Sequence, residues 1–213
     1  MTDDTQDDAT LDAAASLALI DAQRATVVQR AEPSPTYLFA VWGLAWVVGY
    51  TVMGWGSRTH DGPPGAVAGT AFAVLLVGAG VATGIHIARR SGGVRGPSAR
   101  AGAMFGWSWF IAFAAVNLVM AGLTQAGAND TVVALGWNAL SALVVGMLYL
   151  AGGAVWQELT MYLLGAWIVL VGGAATLAGV PGVYTVMAAA GGGGMLLAAL
   201  VTFALARRRR AQA

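Results

Sequence analysis

Two uncharged stretches decide the fold: residues 132–151, VVALGWNALSALVVGMLYLA, and residues 159–178, LTMYLLGAWIVLVGGAATLA. Each holds 20 residues, the length that an α-helix needs to cross the apolar part of a bilayer. Four more apolar runs lie at about residues 37–55, 65–88, 103–123 and 183–206. None of them shows the strict alternation that marks the strands of a membrane β-barrel. The sequence therefore predicts an all-α, polytopic membrane protein with a bundle of six transmembrane helices.

The composition agrees with a chain that has lipid as its solvent. Of the 213 residues, 58% are hydrophobic and 10% are charged, whereas soluble domains carry about 25% charged residues. So little charge cannot cover the surface of a water-soluble domain. Disorder is also excluded for the chain as a whole, because disordered segments combine low hydrophobicity with high net charge.

The distribution of arginine sets the expected orientation in the membrane. Short breaks separate the runs, so neighbouring spans form antiparallel hairpins, and an even number of spans places both termini on one side. Ten of the eleven basic residues then lie with the termini, and only Arg58 lies on the opposite side. Because arginine-rich loops stay in the cytoplasm, both termini are predicted to be cytoplasmic. The absence of lysine suggests a GC-rich bacterial genome and thus the bacterial inner membrane.

The segment before the first span has its own organisation. Residues 1–9 are predicted to be a disordered acidic tail, and residues 10–34 an amphipathic cytoplasmic helix that ends at a proline break. Leu17, Ile20 and Val27 recur at helical spacing and form an apolar stripe. This stripe is expected on the inner leaflet, on another part of this chain or its copies, or on a partner protein. The transmembrane domain then covers residues 35–206, and residues 207–213 form a basic cytoplasmic tail.

Glycine is abundant, and its placement suggests how the spans pack. Small residues four apart allow close helix contact in membranes. Such pairs are Gly65 with Gly69, Gly80 with Gly84, and Gly102 with Gly106. The run Gly191, Gly192, Gly193 and Gly194 in the last span predicts either a tight crossing point or a hinge.

A short phrase occurs twice in the chain. Tyr37, Leu38 and Trp42 have the same spacing as Tyr162, Leu163 and Trp167. The phrase falls in the first span of the first hairpin and again in the first span of the third. This echo raises the hypothesis of duplicated two-helix units.

Few polar side chains fall within the spans, and such groups are functional candidates. Asn117 and Asn138 lie at similar depth on neighbouring spans, about 10 Å below the non-cytoplasmic surface at 1.5 Å per residue. Their amides are expected either to clamp the hairpin by a hydrogen bond or to line a polar cavity.

Two ionisable residues lie near the cytoplasmic ends of spans. Glu158 is predicted to pair with an arginine there or to form a proton or cation site. His86, about one turn before Arg89, is predicted to be an interfacial residue or a pH sensor.

Several chemistries are not expected. The chain has no cysteine and two histidines, so we predict no metal site. No nucleotide-binding or catalytic motif stands beside a suitable element, so we predict no cofactor and no enzymatic activity. Nucleic acid is not expected as a partner, because no basic face accompanies the arginines.

Three functions fit these observations. The favoured one is a non-enzymatic helper or subunit of a larger membrane assembly, whose partners are the lipid bilayer and either another membrane protein or copies of this chain. The alternative is a small transporter or channel that uses Asn117, Asn138, Glu158 and the glycine run. The third is a sensor that signals through the N-terminal helix.

Overall fold

The computed structural model describes residues 16–19, 33–91 and 97–212. By contacts, the chain divides into two compact units, one of Met1–Pro33 with Ile85–Val94 and one of Ser34–Gly84 with Arg95–Ala213. In the first unit, residues 16–19 are helical and residues 85–91 end the second transmembrane helix. The rest of the predicted acidic tail and amphipathic helix lies outside the described residues.

The prediction of an all-α bundle with six membrane-spanning helices is confirmed. The described residues contain no strand, and six helices among them are long and apolar enough to cross a membrane. The first five are α1 (Pro35–Thr59), α2 (Ala66–Ser91), α3 (Pro97–Gln125), α4 (Asp130–Trp156) and α5 (Leu159–Leu177). The sixth membrane-spanning helix consists of α6 (Gly179–Val186), a π-helix (Met187–Gly192) and α7 (Gly193–Gln212). We call these three elements together the sixth helix. The chain is therefore a multi-pass membrane protein.

Local signals in the sequence explain where the helices begin and end. Ser34 caps α1 by accepting a hydrogen bond from the Tyr37 amide at 3.4 Å, and Pro35 occupies the first helical position. Asn129 caps α4 in the same way, with the Val132 amide 2.9 Å from its side-chain oxygen. At the other end of α4, Gln157 turns the chain with φ of 54°. These short turns keep consecutive helices antiparallel.

One close contact along the bundle joins α1 to the sixth helix. A β-carbon added at Gly192 would lie 2.7 Å from the Val47 amide nitrogen and 3.1 Å from the Gly43 carbonyl oxygen. At the N-terminal end of α1, the Thr36 hydroxyl donates to that of Thr202 at 2.9 Å. The two helices therefore touch nearly backbone to backbone.

A second close contact joins α4 to α5. A β-carbon at Gly165 would lie 2.6 Å from the Leu150 nitrogen and 2.8 Å from the Gly146 carbonyl oxygen. One at Gly153 would lie 2.6 Å from the Tyr162 nitrogen. Gly146 and Gly153 are seven residues apart, so they share one face of α4. These glycines let the two backbones approach.

The core lies between α1, α4, α5 and the sixth helix, whose side chains supply its buried cluster. The outer helices α2 and α3 are only 6% and 11% buried over their apolar windows, against 28–39% for the other four. Phe72 joins α2 to Tyr50 of α1 with ring centroids 4.7 Å apart. Phe105 joins α3 to Trp156 of α4 at 4.8 Å.

The GxxxG pairs do not pack as the sequence predicts. A β-carbon at Gly69, Gly80, Gly84, Gly102 or Gly106 would meet nothing within 4 Å, and one at Gly65 would meet only the His60 ring. The expectation of close helix contacts at these pairs within the chain is therefore wrong. They lie on α2, α3 and the turn before α2, and the contacting glycines belong to the inner helices.

We expect G165A to lower the free energy of unfolding by about 1–3 kcal/mol, because its methyl group would collide with backbone atoms of α4. The matched control is G173A on the same helix, where the added carbon meets nothing, so no loss is expected. The measurement is a denaturation curve in mixed micelles with increasing dodecyl sulfate. Equal behaviour of the two variants would contradict the α4–α5 contact.

Candidate functional site

The structure does not bring Asn117 and Asn138 together. Asn117 is exposed on α3, and its amide nitrogen donates to the Phe113 carbonyl of its own helix at 2.8 Å. Asn138 is 5% exposed and lies inside the bundle. The predicted hydrogen bond between these amides, and a polar cavity shared by them, are therefore wrong.

Asn138 is unusual among the buried side chains. It shares a face of α4 with Ala142, Val145 and Tyr149, which belong to the core. Its carboxamide oxygen is buried and accepts no hydrogen bond from the described residues. An unpaired buried acceptor lowers stability by about 1–3 kcal/mol. Asn138 therefore remains a functional candidate that the fold does not require.

The two candidate ionisable residues lie at different helix ends. Glu158 is exposed at the N-terminus of α5 and makes no side-chain capping hydrogen bond. His86 is partly exposed near the C-terminal end of α2, four residues before Arg90. Their proposed roles as a cation site and a pH sensor stay predictions.

The glycine run of the sixth helix coincides with an irregular turn. Gly191 and Gly192 close the π-helix, and α7 begins at Gly193. Gly191 contacts Trp46, Gly192 contacts the α1 backbone, and Gly194 contacts the Trp167 indole. Three of the four glycines thus make a tight crossing point. The hinge remains a hypothesis.

The two tryptophans of the repeated phrase each donate a hydrogen bond to the next span, but to different kinds of acceptor. Trp42 on α1 donates its indole N–H to the Thr83 hydroxyl on α2 at 3.0 Å. Trp167 on α5 donates its indole N–H to the Ala190 carbonyl in the π-helix at 2.8 Å. In each case the first helix of a hairpin bonds the second. Because the acceptors differ in kind and in their distance along the chain, 41 and 23 residues, the duplication of hairpins stays a hypothesis.

The outward side of α2 carries a row of small residues. Its members are exposed and spaced alternately four and three residues apart, so they lie in line along the helix. We call this row the α2 seam, and it consists of Ala66, Thr70, Ala73, Val77, Gly80 and Gly84. Valine is the largest exposed side chain between residues 66 and 84. The α2 seam has the composition of a helix-packing surface, and none of the described helices covers it.

The outward side of α3 has the opposite character. Trp107 is 67% exposed, Phe110 72% and Leu118 75%. Bulky apolar side chains of this kind fill the irregular space between lipid chains. The contrast between two equally peripheral helices singles out the α2 seam.

A polar pocket that sequence reasoning missed lies at the end of the bundle that carries the α1–α2 loop. It measures ≈ 390 Å³, and its lining includes Arg58, Asp61, Thr131 and Pro181. In the sequence, Arg58, Asp61 and Pro181 only mark loops, and three segments far apart in the chain supply the lining. The spacing of residues along the sequence does not predict that segments so far apart meet in the fold.

Neither metal-ligating residues nor known proteins indicate a function for the described residues. Among the described residues there is no group of three His, Cys, Asp or Glu that could hold a metal ion. Comparison with family models, with curated proteins and with solved structures finds no match. The functional argument therefore depends on the geometry.

We expect the free energy of unfolding of N138L to equal that of the wild type or to exceed it by as much as about 1–3 kcal/mol. The reason is that leucine replaces an unpaired buried acceptor with an apolar side chain of similar size. Denaturation in mixed micelles measures this difference. N117L, on the exposed side of α3, is the control for the amide-to-leucine change. A loss of more than about 1 kcal/mol for N138L alone would show that its amide has a structural partner.

Proposed function

We propose that this protein is a non-enzymatic subunit or helper of a larger membrane assembly, and that a transmembrane helix of a partner protein packs on the α2 seam. On this proposal it resides in the bacterial inner membrane, with both termini in the cytoplasm, as the distribution of its arginines favours. The observation that carries the proposal is the exposed α2 seam, on which no helix of the described part of the chain packs.

The chain's own packing supports the role of this row. Several glycines of the inner helices stand where another backbone comes close, as Gly192 does against α1 and Gly165 against α4. An added β-carbon at Gly80 or Gly84 of the α2 seam would meet no described atom of the chain within 4 Å. Glycine thus serves close helix contact elsewhere in this chain, whereas on the α2 seam its side stays open among the described residues.

The chemistry of the bilayer favours a helix as the occupant. Lipid chains are as apolar as the side chains of the span, so the hydrophobic effect does not drive association there. Close packing supplies the attraction instead, and an extended small-residue surface allows it. The inward side of α2 is already used, because Phe72 contacts Tyr50 and Thr83 accepts from Trp42.

We expect the double variant G80L/G84L to reduce recovery of the partner at least tenfold, which corresponds to about 1.4 kcal/mol. The matched control is G78L, because Gly78 is equally open but lies about a third of a turn away from the α2 seam. An added β-carbon at each of these positions meets no atom of the described residues within 4 Å, so we expect both proteins to fold.

The readout is site-specific photo-cross-linking in cells, with the cross-linker placed at Ala73 in the wild-type and variant backgrounds. A single stoichiometric partner helix, lost in G80L/G84L and retained in G78L, supports the proposal. Equal recovery from all three proteins contradicts it. A cross-link only to a second copy replaces the helper role with self-association.

A further inference from the structure

The pocket beside the α1–α2 loop combines two opposite charges with an apolar wall. Arg58 and Asp61 both line it, and neither of these side chains forms an ion pair with a described residue. Val180 and Pro181, at the start of the sixth helix, provide the apolar wall. The volume of ≈ 390 Å³ falls in the range of small-molecule sites.

The guanidinium of Arg58 is held in place by the sixth helix. It donates to the Thr185 hydroxyl at 2.7 Å. A guanidinium has five N–H donors in a rigid fork, so donors remain for a ligand. Carboxylate and phosphate oxygens match that fork best.

Asp61 is held by the loop rather than by a partner charge. Its backbone lies in the left-handed region with φ of 50°. The buried hydroxyl of Ser57 donates to the Gly62 carbonyl, and the Gly62 amide donates back to the Ser57 carbonyl at 3.3 Å. These bonds tie the loop to the end of α1 on either side of Asp61. The backbone that carries Asp61 is therefore held in place beside the pocket that this residue lines.

This pair of charges selects the class of ligand. A simple anion would be attracted by Arg58 and repelled by Asp61. A simple cation would be attracted by Asp61 and repelled by Arg58. A ligand that carries both charges satisfies both side chains. Thr131 adds a hydroxyl to the lining, which can bond either group.

We propose that this pocket binds a small zwitterion, namely an anionic oxygen group joined to an ammonium, with the anion on Arg58 and the ammonium on Asp61. Two sources supply this chemistry. One is a free amino acid, and the other is the headgroup of phosphatidylethanolamine in the surrounding leaflet.

Two arms of one experiment distinguish the sources. In the first, L-alanine is titrated calorimetrically into the full-length protein in nanodiscs of phosphatidylglycerol. In the second, protein released from nanodiscs containing equal phosphatidylethanolamine and phosphatidylglycerol is examined by native mass spectrometry for retained lipid. Binding of alanine identifies a solute site, and selective retention of phosphatidylethanolamine identifies a headgroup site.

The variants R58Q and D61N should each weaken binding of the ligand found at least tenfold. D61N preserves the loop, because asparagine tolerates positive φ as aspartate does. The controls R208Q and D130N remove charges of the same kind outside the pocket lining and should bind as the wild type does. Size-exclusion profiles confirm that each variant is folded.

Three results would overturn the proposal. The first is that the wild type binds neither alanine nor phosphatidylethanolamine. The second is that acetate binds as tightly as alanine, which would make this a plain anion site. The third is that D61N binds like the wild type while remaining monodisperse.

Discussion

The near-backbone contact between α1 and the sixth helix is the constraint on which the rest of the structure depends. In lipid, helices gain little from burying apolar surface, so attraction requires close approach. Gly192 allows that approach by placing the π-helix against Val47 and Gly43. Within this π-helix the Ala190 carbonyl accepts from the indole N–H of Trp167 on α5. One contact thereby joins the first, fifth and last spans.

The arrangement leaves two helices with different tasks at the periphery. Because α1 and the sixth helix pair along their length, and α4 pairs with α5, these four spans supply the buried cluster, and α2 and α3 pack against it from outside with side chains such as Phe72 and Trp109. Each outer helix attaches by one side through aromatic contacts, and no described helix covers its other side. Bulky residues lie on that outward side of α3, whereas residues no larger than valine lie on that of α2 between residues 66 and 84. This difference is the basis of the proposed assembly.

The helices were predictable from the sequence, since runs such as residues 132–151 carry no charge over the length of a span. The partners of those helices were not. Depth follows from the rise per residue, which predicts Asn117 and Asn138 at similar depth, but the side of a helix that faces the core depends on which neighbours surround it. Asn117 faces outward and Asn138 inward for that reason. Glycine spacing alone likewise could not separate Gly80, which is open, from Gly165, which is filled.

The most direct test of the central contact is a disulfide between α1 and the sixth helix in this naturally cysteine-free chain. Thr36 and Thr202 have hydroxyl oxygens 2.9 Å apart, so T36C/T202C should form a disulfide within one molecule under mild oxidation. After oxidation neither cysteine should react with maleimide. The control T36C/T185C should stay reduced, because Thr185 contacts Arg58, about 33 Å along α1 from residue 36. Free thiols in T36C/T202C, or cross-links only between molecules, would contradict the account.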